Sequence, residues 1–365
     1  MIETEVAVIG CGPAGVATSV VLARSGVRVM LLGPAPAAKL KVGESLPAAA
    51  GRLLRRLGVA SLPSLLNQGE YLPCSANVSA WGTERWEYRD ALSDPEGHGW
   101  HLLRHRFEAA LFKHALSQGA RHGAVEIDGL ASDGRQYQLT GEGLQIRCRF
   151  LIDASGRKAW AIRRLAGKPR RTGQQFAAVA WVREQADSQD NTTRIKSTRD
   201  GWWYSARLPD RLRVVAFHGL SGRIGHVIKA PDHFFKACND SALLEHTLTR
   251  TDLIHGLQGC DAGAGCAEIA VGPRWLAVGD AALSFDPLSS QGLFFALYSG
   301  IRGGEAAMHC LQASHRQPTV LLKYQRQIKQ IFERNERTRR LFYSREPRYR
   351  NEDYWRLQLA GLRCH

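Results

Sequence analysis

Trp275-Leu276-Ala277-Val278-Gly279-Asp280-Ala281-Ala282-Leu283-Ser284-Phe285-Asp286-Pro287-Leu288-Ser289-Ser290-Gln291-Gly292 is the stretch whose reading decides the fold. An apolar strand ends in Gly279-Asp280, a loop containing Pro287 follows, and Gly292 opens an apolar helix through Leu293-Phe294-Phe295-Ala296-Leu297. A carboxylate set just past a strand can accept hydrogen bonds from a chain of hydroxyls. The start of the next helix presents unpaired N–H groups and partial positive charge to an electron-rich ring. The ribityl chain and pyrimidine edge of a flavin have these two needs. An ordinary strand–loop–helix connection reads the same way when the run is taken alone, so distant segments must decide.

The N-terminus supplies the first. Glu5-Val6-Ala7-Val8-Ile9 reads as a buried strand, then comes Gly10-Cys11-Gly12-Pro13-Ala14-Gly15 and an apolar helix from Val16 to Ser25. This is G-x-G-x-x-G between a strand and a helix, where glycines permit a tight turn and let the backbone approach a pyrophosphate. The next strand, Val27 to Leu32, should end in an acidic residue that holds the adenosine ribose. Gly33 stands there instead, so the ribose must be held another way. The second segment is Phe150-Leu151-Ile152-Asp153-Ala154-Ser155-Gly156-Arg157, a strand ending in an Asp-x-x-Gly turn. A protein that bound only a nicotinamide dinucleotide would not need this turn or the Gly-Asp run.

With Leu102-Leu103-Arg104-His105-Arg106-Phe107-Glu108 leading into a helix over Ala109 to Gln118, these motifs resemble the FAD-dependent monooxygenases of the aromatic-hydroxylase type. The resemblance covers nearly the whole chain. It implies an α/β fold: a Rossmann-like FAD-binding domain, an antiparallel-sheet substrate domain and a C-terminal helical segment. It also implies that Arg104 lies near the cofactor. Cofactor contacts are expected at Gly10, Gly12, Pro13, Ala14, Gly15, Glu44, Ser45, Arg104, Val125, Asp153, Gly156, Gly279, Asp280, Pro287, Gln291, Gly292 and Leu293.

Because its motifs are spread along the chain, the FAD-binding part should be discontinuous, at 1–70, 100–171 and 265–317. The substrate part would take 71–99 and 172–264. Short alternating strands are expected at Val78 to Gly82 and Arg85 to Tyr88. Longer ones at Gln175 to Val182, Gly201 to Arg207 and Leu212 to His218 should form an antiparallel sheet roofing the flavin. From about 318 the chain becomes amphipathic helix and ends in an aromatic, arginine-rich stretch.

Four segments narrow the family: Val42-Gly43-Glu44-Ser45-Leu46-Pro47, Gly201-Trp202-Trp203-Tyr204-Ser205-Ala206, Asp286-Pro287-Leu288-Ser289-Ser290-Gln291-Gly292, and the tail from Phe342-Tyr343 to Tyr354-Trp355-Arg356. Together they resemble the tryptophan-halogenase-like superfamily. Within it they are most similar to the flavoproteins that mature tryptophylquinone-dependent oxidases, of the lysine ε-oxidase and glycine oxidase maturation type. Halogenases of this superfamily carry a lysine in the strand after the Gly-Glu-Ser segment. Glu70 to Val78 contains none, and Ser289 stands where the tryptophan-type halogenases have a glutamate.

The resemblance therefore implies oxygen insertion by reduced flavin, which needs a water-poor pocket. Trp202, Trp203 and Tyr204 are the candidate substrate pocket, although alternation along a strand turns at least one of them into packing. Glu44, Asp286 and His218 are the candidate groups for proton transfer. Two substrates stay open: a tryptophan side chain within a quinoprotein oxidase precursor, and a free small aromatic molecule. No second G-x-G-x-x-G in strand–turn–helix context marks a nicotinamide site, so reducing equivalents are expected from an external reductant or reductase.

Composition sets the remaining bounds. The 365 residues suffice for one large domain or two joined ones. No apolar run approaches a membrane span, and no leader is expected before the first strand. The eight cysteines, Cys11, Cys74, Cys148, Cys238, Cys260, Cys266, Cys310 and Cys364, include no C-x-x-C pair. Free thiols in a reducing cytoplasm are expected, and no metal. Lys and Arg outnumber Asp and Glu by 49 to 34, giving +15, with clusters at Arg163-Arg164, Lys168 to Arg171 and Arg334 to Arg340. No nucleic-acid module accompanies that charge. A solvated surface explains it, as does a basic face that steers an acidic protein substrate.

Overall fold

The computed structural model describes residues 1–91, 94–172, 174–184 and 189–360. The strand Ile2–Ile9 has Val6, Ala7 and Val8 fully buried, as a strand covered on both faces must. It pairs in parallel with Val29–Leu32 on one side and Leu144–Asp153 on the other. Trp275–Ala277 joins the far side of Leu144–Asp153, also in parallel. Register sets Ile9 beside Asp153, and Asp153 beside Ala277. The glycine turn, the Asp153 turn and the Gly279-Asp280 turn thus leave the sheet along one edge. Motifs separated by well over a hundred residues meet because three strands end in register, at the carboxyl ends where α/β sheets bind ligands.

Two helices cover one face and interlock through small residues. Pro13–Arg24 follows the glycine turn and Gly292–Gln312 follows the Asp286 loop. A Cβ on Gly300 would lie 2.4 Å from the Ala14 carbonyl oxygen, and one on Gly304 3.0 Å from that of Thr18. Only glycine allows this approach. Ala14 facing Gly300 and Thr18 facing Gly304 means that the helices run in the same direction. The second begins eight residues, about 12 Å of helix, before its contact with Ala14.

The roof is a seven-stranded sheet in the order Gln258–Asp261, Gln175–Arg183, Leu212–Leu220, Gly201–Leu208, Thr193–Thr198, Ala76–Ala80 and Glu87–Asp90. It is not wholly antiparallel: Thr193–Thr198 and Ala76–Ala80 pair in parallel. Its outer face, with Ala178, Val182, Trp203, Val215 and Phe217, is covered by the helices Ser221–Lys229 and Pro231–Asp240. Its other face carries Ala177, Val179, Tyr204, Val214 and Ala216 toward Leu103 and Leu40. Two three-stranded sheets join roof and base: Ser45–Leu46, Gly99–Leu102 and Tyr71–Cys74 form one, and Arg170–Thr172, Ala264–Cys266 and Leu283–Ser284 the other.

The chain closes with the helices Gln317–Ser344 and Asp353–Ala360. Tyr343, Tyr354 and Trp355 from these helices are buried against Trp202 of the roof. Seven cysteines carry free thiols. Cys364 lies outside the described residues. No helix among the described residues is long and apolar enough to cross a membrane.

Candidate flavin and substrate site

The glycine turn separates packing from ligand space. Gly10 has φ +114°, and a Cβ there would lie 2.3 Å from the Ala154 carbonyl oxygen, while one on Gly15 would lie 2.0 Å from that of Gly10. A Cβ on Gly12 would meet nothing within 4 Å. Gly10 and Gly15 therefore hold the turn against the neighbouring strand, and Gly12 leaves the entrance open. Pro13 occupies the first helical position and Ala14 the second, both buried, and no acidic side chain enters the first turn. The same features recur at Gly292–Gln312: a Cβ on Gly292 would meet nothing within 4 Å, and the first turn lacks an acidic residue. Two open helix N-termini, displaced along parallel axes, fit a dinucleotide that sets its diphosphate at one and an electron-rich ring edge at the other.

The three turns have distinct duties. Asp153 is fully buried, and its carboxylate accepts from the Ser155 hydroxyl at 2.6 Å and from Ser155, Ala161 and Ile162 N–H at 3.0, 2.7 and 2.9 Å. All of that capacity goes to its own loop. Asp153 fixes the turn in which Gly156, with φ +63° and open space beside it, stands. Gly279 has φ +60°, with a Cβ position 2.8 Å from Ala14 Cβ, and donates its N–H to Ser299 Oγ at 2.8 Å. Asp280 beside it remains partly exposed and pairs with Arg157 at 3.4 Å. With part of its carboxylate exposed, Asp280 can accept from a hydroxylated chain. Arg157 is held in turn by the Gly263 carbonyl at 2.6 Å.

Arg104 lies within the helix Arg104–Ser117 rather than before it. Its guanidinium donates to Glu108 at 2.8 Å and to the Val42 carbonyl at 2.5 Å, beneath Gly43 with φ +88°. Lys41 joins Glu108 at 2.6 Å. Burial raises the Glu108 pKa, but the two cations outweigh that and bring it below the usual carboxylate range. Arg104 thus pins the segment that delivers Glu44 and Ser45. Glu44 is buried and accepts from Gly43 N–H at 2.9 Å and from the Tyr204 hydroxyl, which lies 3.0 Å from Ser45 Oγ. Val125 has its side chain in the core behind the sheet edge, so only its backbone remains available to a ligand. Gly33, with φ +127°, brings no carboxylate; its carbonyl accepts from His122 Nε2 at 2.9 Å.

The Asp286–Gly292 loop is anchored from behind. Asp286 is buried, and its carboxylate accepts from Leu288 N–H at 2.9 Å, capping the turn Pro287–Ser289, and from the Tyr343 hydroxyl at 3.1 Å. Burial pushes its pKa up. Ser290 at φ +49° redirects the chain so that Gln291 caps the helix and Leu293 enters the core. Tyr354 donates to Gln175 Oε1 at 2.8 Å and accepts from Trp202 Nε1 at 2.9 Å. A buried polar chain therefore links roof, tail and loop, and Asp286 anchors it.

The aromatic triplet divides as strand alternation demands. Trp203 lies in the outer core, edge-on to Phe234, and does not line the site. Trp202 is buried against the tail and stacks on His218 with centroids 3.8 Å apart. Tyr204 alone reaches the Gly-Glu-Ser segment. Burial pushes the His218 pKa down to about 3, which favours the neutral ring. Tyr343, Tyr354 and Gln175 were missed by sequence reading. The aromatic tail was noted there, but nothing local shows that residues 168 and 179 positions from Gln175 return to it.

Comparison with known proteins agrees with this geometry. Residues 3–219 match the FAD binding domain family. LodB of Marinomonas mediterranea, which bears the name of an FAD-dependent oxidoreductase, is 27% identical over 97% of this chain and 96% of its own. Two solved structures share the fold. CmlS, a flavin-dependent halogenase, has a TM-score of 0.85 at 22% identity, over 98% of this chain and 68% of its own. QhpG, a peptidyl tryptophan dihydroxylase essential for tryptophylquinone cofactor biogenesis, has 0.80 at 24%, over 98% and 78%. FAD is the cofactor that the open glycine turn and the paired helix starts accommodate. The chain belongs to the FAD binding domain family and is an FAD-dependent oxidoreductase.

Proposed function

We propose that this flavoprotein hydroxylates a tryptophan side chain of a protein precursor during tryptophylquinone cofactor biogenesis. Bound and reduced by an external donor, FAD supplies the transfer of one oxygen atom from dioxygen to an aromatic ring. The protein's part is to hold the ring against the flavin, exclude water and keep the loop still. The observation that carries the reading over halogenation is the state of the amines. The strands Tyr71–Cys74 and Ala76–Ala80 contain no lysine, and Lys41, before the motif, is bound to Glu108 at 2.6 Å. No amine stands where this superfamily's halogenases handle the oxidised halide. The relationship to LodB over almost the full length of both chains, and the likeness to QhpG, support the precursor as substrate.

In this reading, the cofactor part is the parallel sheet with its two interlocked helices, and the substrate part is the seven-stranded roof. The contacts at Gly12, Gly156, Asp280 and Gly292 are the proposed cofactor set, with Glu44 and Ser45 beside the ring. The free thiols support a reducing, cytoplasmic setting. The test is to incubate the FAD-loaded protein, a reductant and dioxygen with a quinoprotein oxidase precursor. Mass spectrometry should find added oxygen on one of its tryptophans. Unmodified precursor, alongside hydroxylation of a free aromatic molecule, would establish the small-molecule reading instead.

A further inference from the structure

His218 sits between the two segments that flank the proposed flavin ring. Within the roof it lies opposite Trp202 on one strand and Ala177 on the other. One alternation along, Ala216 lies opposite Tyr204, whose hydroxyl reaches Glu44 and Ser45. One alternation the other way is Gln175, whose tyrosine partner Tyr343 reaches Asp286. The imidazole is 6% exposed, and its Nδ1 is buried without a hydrogen-bond partner. Gln175 is 1% exposed, and its Nε2 also lacks one. The two are diagonal neighbours on one face of adjacent strands, roughly 7–8 Å apart. Ala177 and Ala216, with short side chains, lie on the same face. Buried polar atoms are almost always paired, so two unpaired ones on one face of adjacent strands call for an explanation.

We propose that His218, braced against Trp202, accepts a hydrogen bond from the ring N–H of the substrate tryptophan, while Gln175 Nε2 donates to an oxygen of the same substrate. The inference rests on the tryptophan reading above and adds the residue that recognises the ring. A neutral imidazole suits the task, since it offers one acceptor nitrogen and no charge that would favour a carboxylate. The stack on Trp202 fixes the ring plane, and the low pKa keeps the acceptor unprotonated throughout the working pH range. Sites that leave a polar group unpaired when the wrong ligand binds discriminate strongly against it. His218 is thus a specificity-determining residue, not an acid or base.

The test titrates FAD-loaded protein with 3-methylindole and with 1,3-dimethylindole, following the perturbation of the flavin absorbance. Wild type should bind the N–H ring about 10–100-fold more tightly. In His218→Phe, which keeps an aromatic face for Trp202, the ratio should fall close to one with flavin content unchanged. His218→Leu carries the same expectation should the phenylalanine variant not fold. Equal affinities in wild type, no binding of either ring, or a preference that survives in the variant would each overturn the proposal. Its failure is distinguishable from failure of the functional reading. Precursor hydroxylation without N–H preference refutes only the role of His218, and N–H preference without precursor hydroxylation refutes only the protein substrate.

Discussion

Tyr343 donates a hydrogen bond to Asp286 at 3.1 Å, so the last long helix holds the loop that precedes the flavin-facing helix. The contact joins residues 57 positions apart and buries a carboxylate whose pKa burial raises. The loop's shape therefore depends on the tail, and the tail depends on the roof through Trp202 and Gln175.

Asp286→Asn should expose that dependence through pH. A carboxyl with a raised folded pKa keeps its proton while the unfolded chain ionises. The Asp286 contribution to stability should therefore be fully present below the ordinary carboxylate pKa and be lost as pH rises through the raised folded value, against the opposite trend of carboxylates with lowered pKa such as Glu108 and Glu336. The amide cannot ionise, and its Oδ1 can still accept from Leu288 N–H. Urea unfolding at a series of pH values should show that this loss is absent from the variant's profile across that window. An unchanged slope would mean that Asp286 does not carry the raised pKa.

The glycine turn permits a contrast between two single substitutions. Gly10→Ala forces a Cβ against the Ala154 carbonyl at φ +114° and should cost ~1–3 kcal/mol or more in stability. A Cβ at Gly12 meets no protein atom within 4 Å, so Gly12→Val should lose far less stability than Gly10→Ala, about the cost of a poorer N-cap. It should nevertheless fail to retain FAD, because its side chain would occupy the space over the helix start. Equal FAD content in the Gly12 variant would refute the placement of the diphosphate there.

Asp280→Ala should leave the fold intact and lower flavin occupancy, since a charged acceptor of hydrogen bonds contributes ~1.5–3 kcal/mol, or about 10–100-fold in affinity. The same change removes one partner of Arg157, which keeps Asp261 and the Gly263 carbonyl. Equilibrium dialysis of the apoprotein with FAD measures the effect directly.

The sequence made the base legible because its motifs are local. A strand, a glycine turn and a helix are contiguous, and their order alone tells that three strand ends converge. The roof was half legible. Strands rich in Val, Ala and Trp, such as Gln175–Arg183, announced themselves through burial on both faces, whereas Thr193–Thr198 did not. Its Thr-Arg-Ile-Lys-Ser-Thr carries charge for reasons that only its neighbours explain, with Lys196 paired to Glu84 at 3.0 Å and Arg194 to Asp190 at 3.0 Å. Asp153 read as a cofactor contact and Asp286 as a proton-transfer group because both are carboxylates in cofactor turns. Each proved to be saturated by its own loop or by the tail, which depends on backbone geometry that composition does not encode.

The basic surface yields the last test, and the structure selects the residues for it. Arg339 is 5% exposed and locked to Glu336 and Gln358, so reversing it would unfold the tail rather than probe recognition. Arg170 and Arg171 are paired with Glu268 and Asp261. Arg334, Arg337 and Arg345 are exposed around the exposed Leu341 and Phe342, with Arg345 over the Phe342 ring at 5.3 Å. If the +15 charge guides an acidic precursor, reversing Arg334, Arg337 and Arg345 to glutamate should slow association about tenfold or more at low salt and leave FAD content unchanged. Raising ionic strength should erase the difference, because the screening length shortens to ~8 Å near physiological salt. Stopped-flow association with the precursor at low and high salt measures both arms. Equal rates for wild type and the triple variant at low salt would show that the charge serves solubility alone.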